Sequence, residues 1–398
     1  MEQDQLFERL WSGTAPMEEW TRAVSNGAIT SVADTIITVH STYFCGSVTA
    51  MRTSAGLVVI DTANAALATQ TLAAVRRWDD GPVHTVIYTH GHIDHTGGIA
   101  VIDEDANARG VPRPRIIAHR DVRRRLERYK TTQGFNSVVQ GQQFNYPDYT
   151  YPVGQRQPDE VYDDTLALTI GNERLELFHG RGETDDATFV WLPERRVLVS
   201  GDFVIWMFPN AGNPRKVQRY AAEWAATLRR MQALQPEVLI PGHGPVIFGA
   251  ARARQVLDDG ATLLESLVGQ TLALMNRGCT LDEVLREVPG PDLHPQGLAQ
   301  PDRVRDGALH HLRQGVRVRE GALHRLQEGA LHRRQEGALY RLQEGALHRR
   351  QEGALHRDED VQGNDRQEGA LHRDPDRHRN LPQAGPVHGR PDRPRSVC

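Results

Sequence analysis

The sequence predicts an α/β fold, on three observations. Short apolar runs of strand length alternate with stretches of helical periodicity, and several runs end directly in a histidine or a carboxylate. One of them (Val83, Thr85, Val86, Ile87, Tyr88) leads into Thr89-His90-Gly91-His92-Ile93-Asp94-His95-Thr96-Gly97-Gly98. Four metal-ligand types thus fall on the kind of loop where α/β sheets place their chemistry. All six Trp and all nine Phe lie before residue 250, so a packed core is expected there and not in the last hundred residues.

Residues 1–30 read as a short helix and an irregular lead-in. Ile36 to Thr53 carries β-branched and aromatic residues at loose alternation (Ile36, Val39, Tyr43, Val48) and reads as strands. Leu57-Val58-Val59-Ile60-Asp61-Thr62 is a buried strand ending in a carboxylate. Asp61 suits two roles equally: orienting a metal-binding histidine, or capping the helix expected over Ala65 to Trp78. Arg115-Ile116-Ile117-Ala118-His119 is another strand, and His119 reads either as support for a metal ligand or as an ordinary polar strand end. A basic helix is expected from Arg120 to Lys130. Residues 131–160 read as a long loop with Thr132, Gly134, Asn136, Gln142, Gln143 and Phe144. Such loops are usually functional or disordered, and this mix of amides and aromatics favours the wall of a substrate pocket.

Leu166 to Phe178 reads as two strands around Gly171-Asn172. The run His179-Gly180-Arg181-Gly182-Glu183-Thr184-Asp185-Asp186 follows, with His179 grouped with Asp61 and His119 as support for ligands. Asp185 and Asp186 read equally as support, caps or surface carboxylates. Val197-Leu198-Val199-Ser200-Gly201-Asp202 and Glu237-Val238-Leu239-Ile240-Pro241-Gly242-His243-Gly244 each repeat the pattern of a strand followed by a ligand type.

His90 and His92, two apart on an extended segment, can face one way, while Asp94 and His95 turn to serve a neighbouring position. Three imidazoles and a carboxylate suit zinc, or less selectively manganese or iron. The H-x-H-x-D-H pattern resembles the signature of the metallo-β-lactamase superfamily. The resemblance implies a four-layer αββα sandwich with one or two metals at the sheet edge. It implies a first metal held by His90, His92 and Glu183, a second held by Asp94, His95 and His243, and Asp202 as the bridge. Asp94 and Asp202 are expected to be catalytic as well. In most relatives the segment matching Arg181-Gly182-Glu183-Thr184 is P-G-H-T, so glutamate replaces a histidine here. That departure, the run Gly182 to Asp186 and the run Pro209-Asn210-Ala211-Gly212-Asn213-Pro214-Arg215-Lys216 look like the alkylsulfatase-like branch, whose members hydrolyse sulfate esters of fatty alcohols.

Two divalent ions about 3.5–4 Å apart lower the pKa of a shared water towards about 7 and clamp an oxyanion. No Ser-His-Asp or Cys-His arrangement is evident, so the expected nucleophile is metal-bound hydroxide. Two Zn2+ are expected, with Mn2+ or Fe2+ as alternatives. Asn210, Asn213 and Arg215, with Lys216, are candidate donors to an anionic ester; a solvated loop before a helix over Val217 to Leu234 has equal weight. Trp206, Met207 and Phe208 line an alkyl channel or belong to the core, with core slightly favoured. The expected activity is binuclear, metal-dependent hydrolysis of a small anionic ester, an alkyl sulfate. Its rivals are a hydrolase of the same fold acting on a lactone, thioester or phosphodiester, and a non-catalytic metal-binding or assembly protein.

The expected organisation is a lead-in (1–30), a hydrolase domain (31–247), a helical segment (248–289) and a tail (290–398). Ala250 to Arg277 reads as a long helix, and Thr280-Leu281-Asp282-Glu283 is a capping box opening a second. This pair resembles the start of the dimerisation domain of alkylsulfatase-like proteins, which implies a homodimer. From Gly321 the unit Gly-Ala-Leu-His-Arg-x-Gln-Glu recurs at 329, 337, 345, 353 and 369 with small variations. One Leu per eight residues makes no core stripe, so the tail is expected to be low-complexity and mostly disordered. A net charge of −4 gives no case for nucleic acid or anionic membranes. Cys45, Cys279 and Cys398 are too scattered for a disulfide framework. The acidic N-terminus has no signal-peptide pattern and no apolar run reaches about 18 residues, so the expected setting is cytoplasmic.

Overall fold

A computed structural model describes residues 2–24, 27–41, 46–146, 148–207, 209–212 and 217–288. The chain opens with α1 (Glu2–Trp11), α2 (Met17–Val24), β1 (Ala28–Ala33), β2 (Ile36–His40), β3 (Val48–Thr53), β4 (Gly56–Ile60), α3 (Ala68–Trp78) and β5 (Val83–Ile87). It continues through α4 (Ile93–Thr96), α5 (Ile99–Ala108), β6 (Arg115–His119), α6 (Asp121–Thr131), α7 (Gln133–Gln143) and β7 (Glu160–Tyr162). The second half holds β8 (Thr165–Ile170), β9 (Glu173–Gly180), β10 (Ala187–Leu192), β11 (Val197–Ile205), α8 (Ala221–Ala233), β12 (Val238–His243), β13 (Ile247–Phe248), α9 (Ala250–Asn276) and α10 (Leu281–Glu287).

Among the described residues, β1 to β7 form one sheet in chain order, and a second sheet runs β13-β12-β11-β10-β9-β8. Pairing is antiparallel from β1 to β4 and parallel from β4 to β7. In the second sheet β11 and β12 are parallel and their neighbours antiparallel.

Side chains alternate across a strand, and β4 shows what that does here. Leu57 and Val59 join Ala74, Val75, Ile99 and Val122 under the outer helices, while Val58 and Ile60 join Leu175, Leu177, Val190 and Ile240 between the sheets. On the far side Phe189, Trp191 and Leu198 pack with Trp224 and Leu228 of α8 and Leu257 and Leu264 of α9. Three apolar layers therefore separate helix, sheet, sheet and helix, the expected αββα sandwich. The parallel pairs align the C-terminal ends of β5 and β6 in one sheet and of β11 and β12 in the other.

Two regions differ from the sequence expectation. The lead-in is a helix pair: Trp20 and Val24 of α2 bury against Leu10 and Ala15, and Arg252 of α9 grips Glu8 through both guanidinium nitrogens at 2.8 Å. The supposed loop 131–160 begins with helix α7. Gly134, Asn136 and Gly141 weaken the helical signal, and Phe135 and Val138 face outward, so no apolar stripe marks it. Tertiary bonds hold α7 instead: Gln133 Nε2 donates to the Tyr151 carbonyl at 2.9 Å, and the Tyr151 amide to Ser137 Oγ at 2.9 Å.

The expected long helix is α9, and Thr280 and Glu283 form the capping box that opens α10. Cys279 is half-buried. No helix among the described residues is long and apolar enough to cross a membrane. The repeat tail, Cys45, Cys398, Phe208, Asn213, Arg215 and Lys216 lie outside the described residues.

One buried histidine makes the fold acid-sensitive. His40 lies under α2 with its ring edge on Trp20, and its Nε2 sits 3.1 Å from Thr30 Oγ1. Burial lowers its pKa to about 4. Because that value lies below the unfolded one, the unfolded chain binds the extra proton. The stability from neutral His40 is therefore complete above about pH 6.5 and lost as pH falls towards about 4, at up to about 1.4 kcal/mol per pH unit. Urea unfolding at pH 7 and pH 5 checks this: His40→Gln should narrow the gap in midpoint between the two, and an unchanged gap would refute the assignment.

Candidate metal centre

Four segments from the two sheets converge at one edge. His90 and His92 follow β5, Asp94 and His95 lie on α4, Asp202 lies in β11, His243 ends β12, and Glu183 sits between β9 and β10. The ligand-type atoms form two clusters, each within 4.8 Å: His90, His92, Glu183 and Asp202, and then Asp94, His95 and His243. Asp202 spans both. Its Oδ2 is 3.7 Å from His90 Nε2, while its Oδ1 is 3.3 Å from His95 Nε2 and 3.5 Å from His243 Nε2. Asp94 Oδ2 closes the second cluster at 3.4 Å from His95 Nε2 and 3.3 Å from His243 Nε2. In the first, His92 Nδ1 lies 2.8 Å from His90 Nε2 and 3.9 Å from Glu183 Oε2.

A divalent ion fits these spacings. Ligands at about 2.1 Å around a tetrahedral ion stand about 3.4 Å apart, which the measured separations bracket. His95 Nε2 and Asp202 Oδ1 are buried without a hydrogen-bond partner, and orphaned buried polar atoms are costly unless an ion or water serves them.

The electrostatics agree with that donor set. Burial lowers the pKa of His90, with His95 adding to it, and holds His92 well below the ordinary value, so both rings stay neutral. Burial would raise Asp94, yet His95 and His243 hold it well below the carboxylate range, and Asp202 is held down in the same way by His95, His243 and His90. Glu183 goes the other way: burial and then the Asp202 charge push it up to about 8, against the pull of Arg219.

Asp61 occupies the left-handed region at φ 62°. Its carboxylate accepts the Thr89 amide and hydroxyl, each at 2.7 Å, and Oδ2 lies 2.8 Å from His95 Nδ1. Thr89 Oγ1 sits 3.1 Å from His90 Nδ1 in turn. With both Nδ1 atoms donating along this chain, the Nε2 atoms of His90 and His95 are turned to the centre. Asp61 does not cap α3, which starts after Leu67 with no side-chain cap.

His119 and His179 stack on each other, ring centroids 3.6 Å apart and nearly parallel, with Tyr162 at the His119 edge. Their hydrogen bonds run to the Asp121 amide and the Ala187 carbonyl. Among the described contacts neither ring meets a candidate ligand. The expectation that the two support ligands therefore has no contact behind it; they pin the end of β6 to β9 instead.

Asn210 is exposed, and its carbonyl accepts Arg219 Nη1 at 2.9 Å. Arg219 is the residue the sequence reading passed over. Its Nη2 lies 2.7 Å from Glu183 Oε1, leaving Oε2 towards His92. Nothing in the sequence separates this arginine from its neighbours Arg215 and Lys216. Trp206 packs on Phe7 and Trp11 and donates to the Pro245 carbonyl at 2.7 Å, so it is core, whereas Met207 is half exposed.

The close approach of β11 and β12 leaves no room beside Asp202. A Cβ on Gly242 would lie 2.1 Å from Asp202 Oδ1 and 2.7 Å from the Gly201 carbonyl carbon. Gly242→Ala should cost about 1–3 kcal/mol, as overpacking does, and displace the Asp202 carboxylate. Denaturant unfolding and metal titration of the variant check both; wild-type values in the two would contradict the packing.

Residues 44–243 match the Metallo-beta-lactamase superfamily. The chain is 26% identical over 280 residues to a linear primary-alkylsulfatase from Pseudomonas sp. (strain ATCC 19151), which covers 64% of this chain and 52% of that protein. It is 27% identical over 272 residues to an (R)-specific secondary-alkylsulfatase from Pseudomonas sp, with 61% and 40% covered. A metallo-beta-lactamase type 2 from Bacillus sp. (strain 170) is 28% identical over 201 residues, with 49% and 65% covered. The chain thus spans about half the length, or less, of these alkylsulfatases. Among solved structures, a stereoselective inverting sec-alkylsulfatase from Pseudomonas sp. shares the fold, with a TM-score of 0.58, 23% identity, and 68% of this chain and 46% of that one covered. A match over half of the chain decides the family: it belongs to the metallo-beta-lactamase superfamily, with alkylsulfatases among its homologues.

Proposed function

We propose that the chain is a binuclear metal-dependent hydrolase of anionic esters, with alkyl sulfates as its substrate class and zinc as its ion. The observation that carries this reading is the sharing of Asp202 between two ligand clusters, one of which has Glu183 as its third member. The alkylsulfatases among the relatives supply the substrate class.

His90, His92 and Glu183 would hold one ion, Asp94, His95 and His243 the other, and Asp202 both. Two ions held so supply a water nucleophile activated at neutral pH and a positive clamp for the ester oxygens. The chain's own residues do the rest. Asp94 and Asp202, both held ionised, orient the attacking water by accepting its hydrogen bonds. Arg219 holds Glu183 by one oxygen and ties the backbone of Asn210 to the centre, which supports reading the 209–212 segment as a flank of the ester site. Asn210, Asn213 and Arg215 remain the proposed donors to the ester anion. Hydrolysis consumes one water and gives an alcohol and hydrogen sulfate, which releases a proton at neutral pH. In the same reading residues 31–247 carry the chemistry, and residues 248–289 begin a dimerisation region with Leu272, Met275 and Leu281 exposed on it.

The test is sulfate release from a medium-chain alkyl sulfate by the zinc-loaded full chain. Release is expected to vanish on chelation and to fall by more than about 100-fold in Glu183→Ala, since ligand loss should exceed the 10–100-fold typical of a ligand's supporting partner. A folded, two-metal protein inert on alkyl sulfates but active on a lactone, thioester or phosphodiester would move the substrate; one inert on every ester would make it a metal-binding protein. Metal analysis is expected to give two ions per wild-type chain and one in His243→Ala.

A further inference from the structure

Two buried carboxylates back the candidate centre, and they reach it from different sides. Asp61 meets the second cluster directly, through His95 Nδ1 at 2.8 Å. Asp186, wholly buried, meets the backbone instead. Its Oδ2 accepts the amide of Gly91, the residue between His90 and His92, at 3.0 Å, and the Nε of Arg125 at 2.7 Å. Arg125 projects from α6, is 2% exposed, and pairs through Nη2 with Asp185; its Nη1 reaches the Tyr129 hydroxyl at 3.4 Å.

Asp185 and Asp186 follow Glu183 by two and three residues. Asp186 thus ties the loop that carries Glu183 to the loop that carries His90 and His92, and one guanidinium holds that joint to α6. Packing leaves the joint no slack: a Cβ on Gly91 would lie 2.8 Å from Arg125 Cδ and 3.0 Å from Asp186 Oδ2.

Burying this pair is a poor way to gain stability. The desolvation of two ions commonly cancels their attraction, and apolar replacements of similar volume are often as stable or more so. What a buried arginine–aspartate pair does supply is fixed geometry, because the planar fork donates to its partners in few orientations. No such link among the described contacts reaches Asp94, His95 or His243.

We infer that the Arg125–Asp186 pair is a positioning brace for the first ion alone. It holds the Gly91 backbone and the Glu183 loop in one register, so that His90, His92 and Glu183 present their donor atoms together, while Asp61 serves the second cluster through His95. The inference rests on the two-metal reading above.

The test uses the full chain loaded with Co2+ and a chelator titration that resolves two release steps, assigned with His92→Ala and His243→Ala. Asp186→Asn is expected to weaken the first-cluster step by about 10–100-fold, the range for losing a partner that supports a ligand, and to leave the second step unchanged. Asp61→Asn, which loosens His95 directly and His90 through Thr89, is by contrast expected to weaken both steps. The Co2+ absorption of the first site should change in Asp186→Asn, which a general loss of stability would not cause. If Asp186→Asn does not fold, Arg125→Lys, which keeps the charge and loses the fork, serves with the same selective expectation. Equal weakening of both steps, or of neither, overturns the brace while leaving the metal centre intact. A folded wild-type chain that takes up no Co2+ overturns the metal centre and the brace together.

Discussion

Three carboxylates, Asp94, Asp202 and Glu183, crowd one buried edge of the two sheets, and the neighbouring structure is an answer to that crowding. Like charges taken out of water repel, and burial penalises each one separately. Asp94 and Asp202 stay ionised because His95 and His243 are drawn well above their ordinary pKa beside them. Glu183 has only Arg219 and is pushed up to about 8. A centre in which two imidazoles serve as counter-ions and one carboxylate holds on to its proton is compensated from within. Divalent cations would discharge that arrangement, freeing the imidazoles to act as neutral ligands and Glu183 to ionise.

The layered fold makes such a concentration of charge tolerable. Three of the four ligand-bearing segments leave a strand whose buried body is largely apolar: Val83 to Ile87, with Thr85 among them and His84 exposed, before His90, Val197 to Val199 before Asp202, and Val238 to Ile240 before His243. The inner layer between the sheets fixes those strands relative to one another, so donor atoms from distant parts of the chain meet within a few ångströms. The polar residues around them are bonded to backbone on the ligand loops. Asp61 holds the Thr89 amide and Asp186 the Gly91 amide, and the two flank His90 from either side. The ligand loop is therefore fixed by its peptide groups as much as by its side chains.

Much of this was legible in the sequence, and what was not has a common physical cause. His90, Asp202 and His243 announce themselves because each follows a strand-length, largely apolar run, and the histidine spacing leaves few other readings; Glu183 has no such run before it and was reached through the family resemblance. Asp61 was ambiguous as text: a carboxylate after a strand and before a helix suits a cap as well as a support, and only its left-handed backbone, which turns the side chain back to Thr89 and His95, separates the two. Helix α7 was missed because the bonds that hold it come from Tyr151, beyond its own end. Arg125 and Arg219 were missed because an arginine on a basic helix, or one beside Arg215 and Lys216, looks solvated until its acidic partner is brought to it. His119 and His179 erred the other way. They stand at strand ends like the ligands, but they lie on β6 and β9 and meet each other. Periodicity reports burial along one element, and it is silent about pairing between elements.

Glu183 shows how such a pairing bears on function. With the two proposed divalent ions in place and the histidines neutral, three carboxylates would leave one positive charge at the centre. Arg219, bonded to Glu183 at 2.7 Å, raises that to two. A histidine in place of Glu183, with no arginine beside it, would give the same two. The glutamate and the arginine are therefore best understood as one unit that keeps the charge of the more common ligand set and relocates part of it. The positive charge is moved off the ions and onto a guanidinium whose other nitrogen holds the Asn210 carbonyl. In that reading the positive field of the centre would extend towards the 209–212 segment. Under the two-ion reading proposed above, such a site would select against a neutral ester twice, once at the ions and once at the arginine.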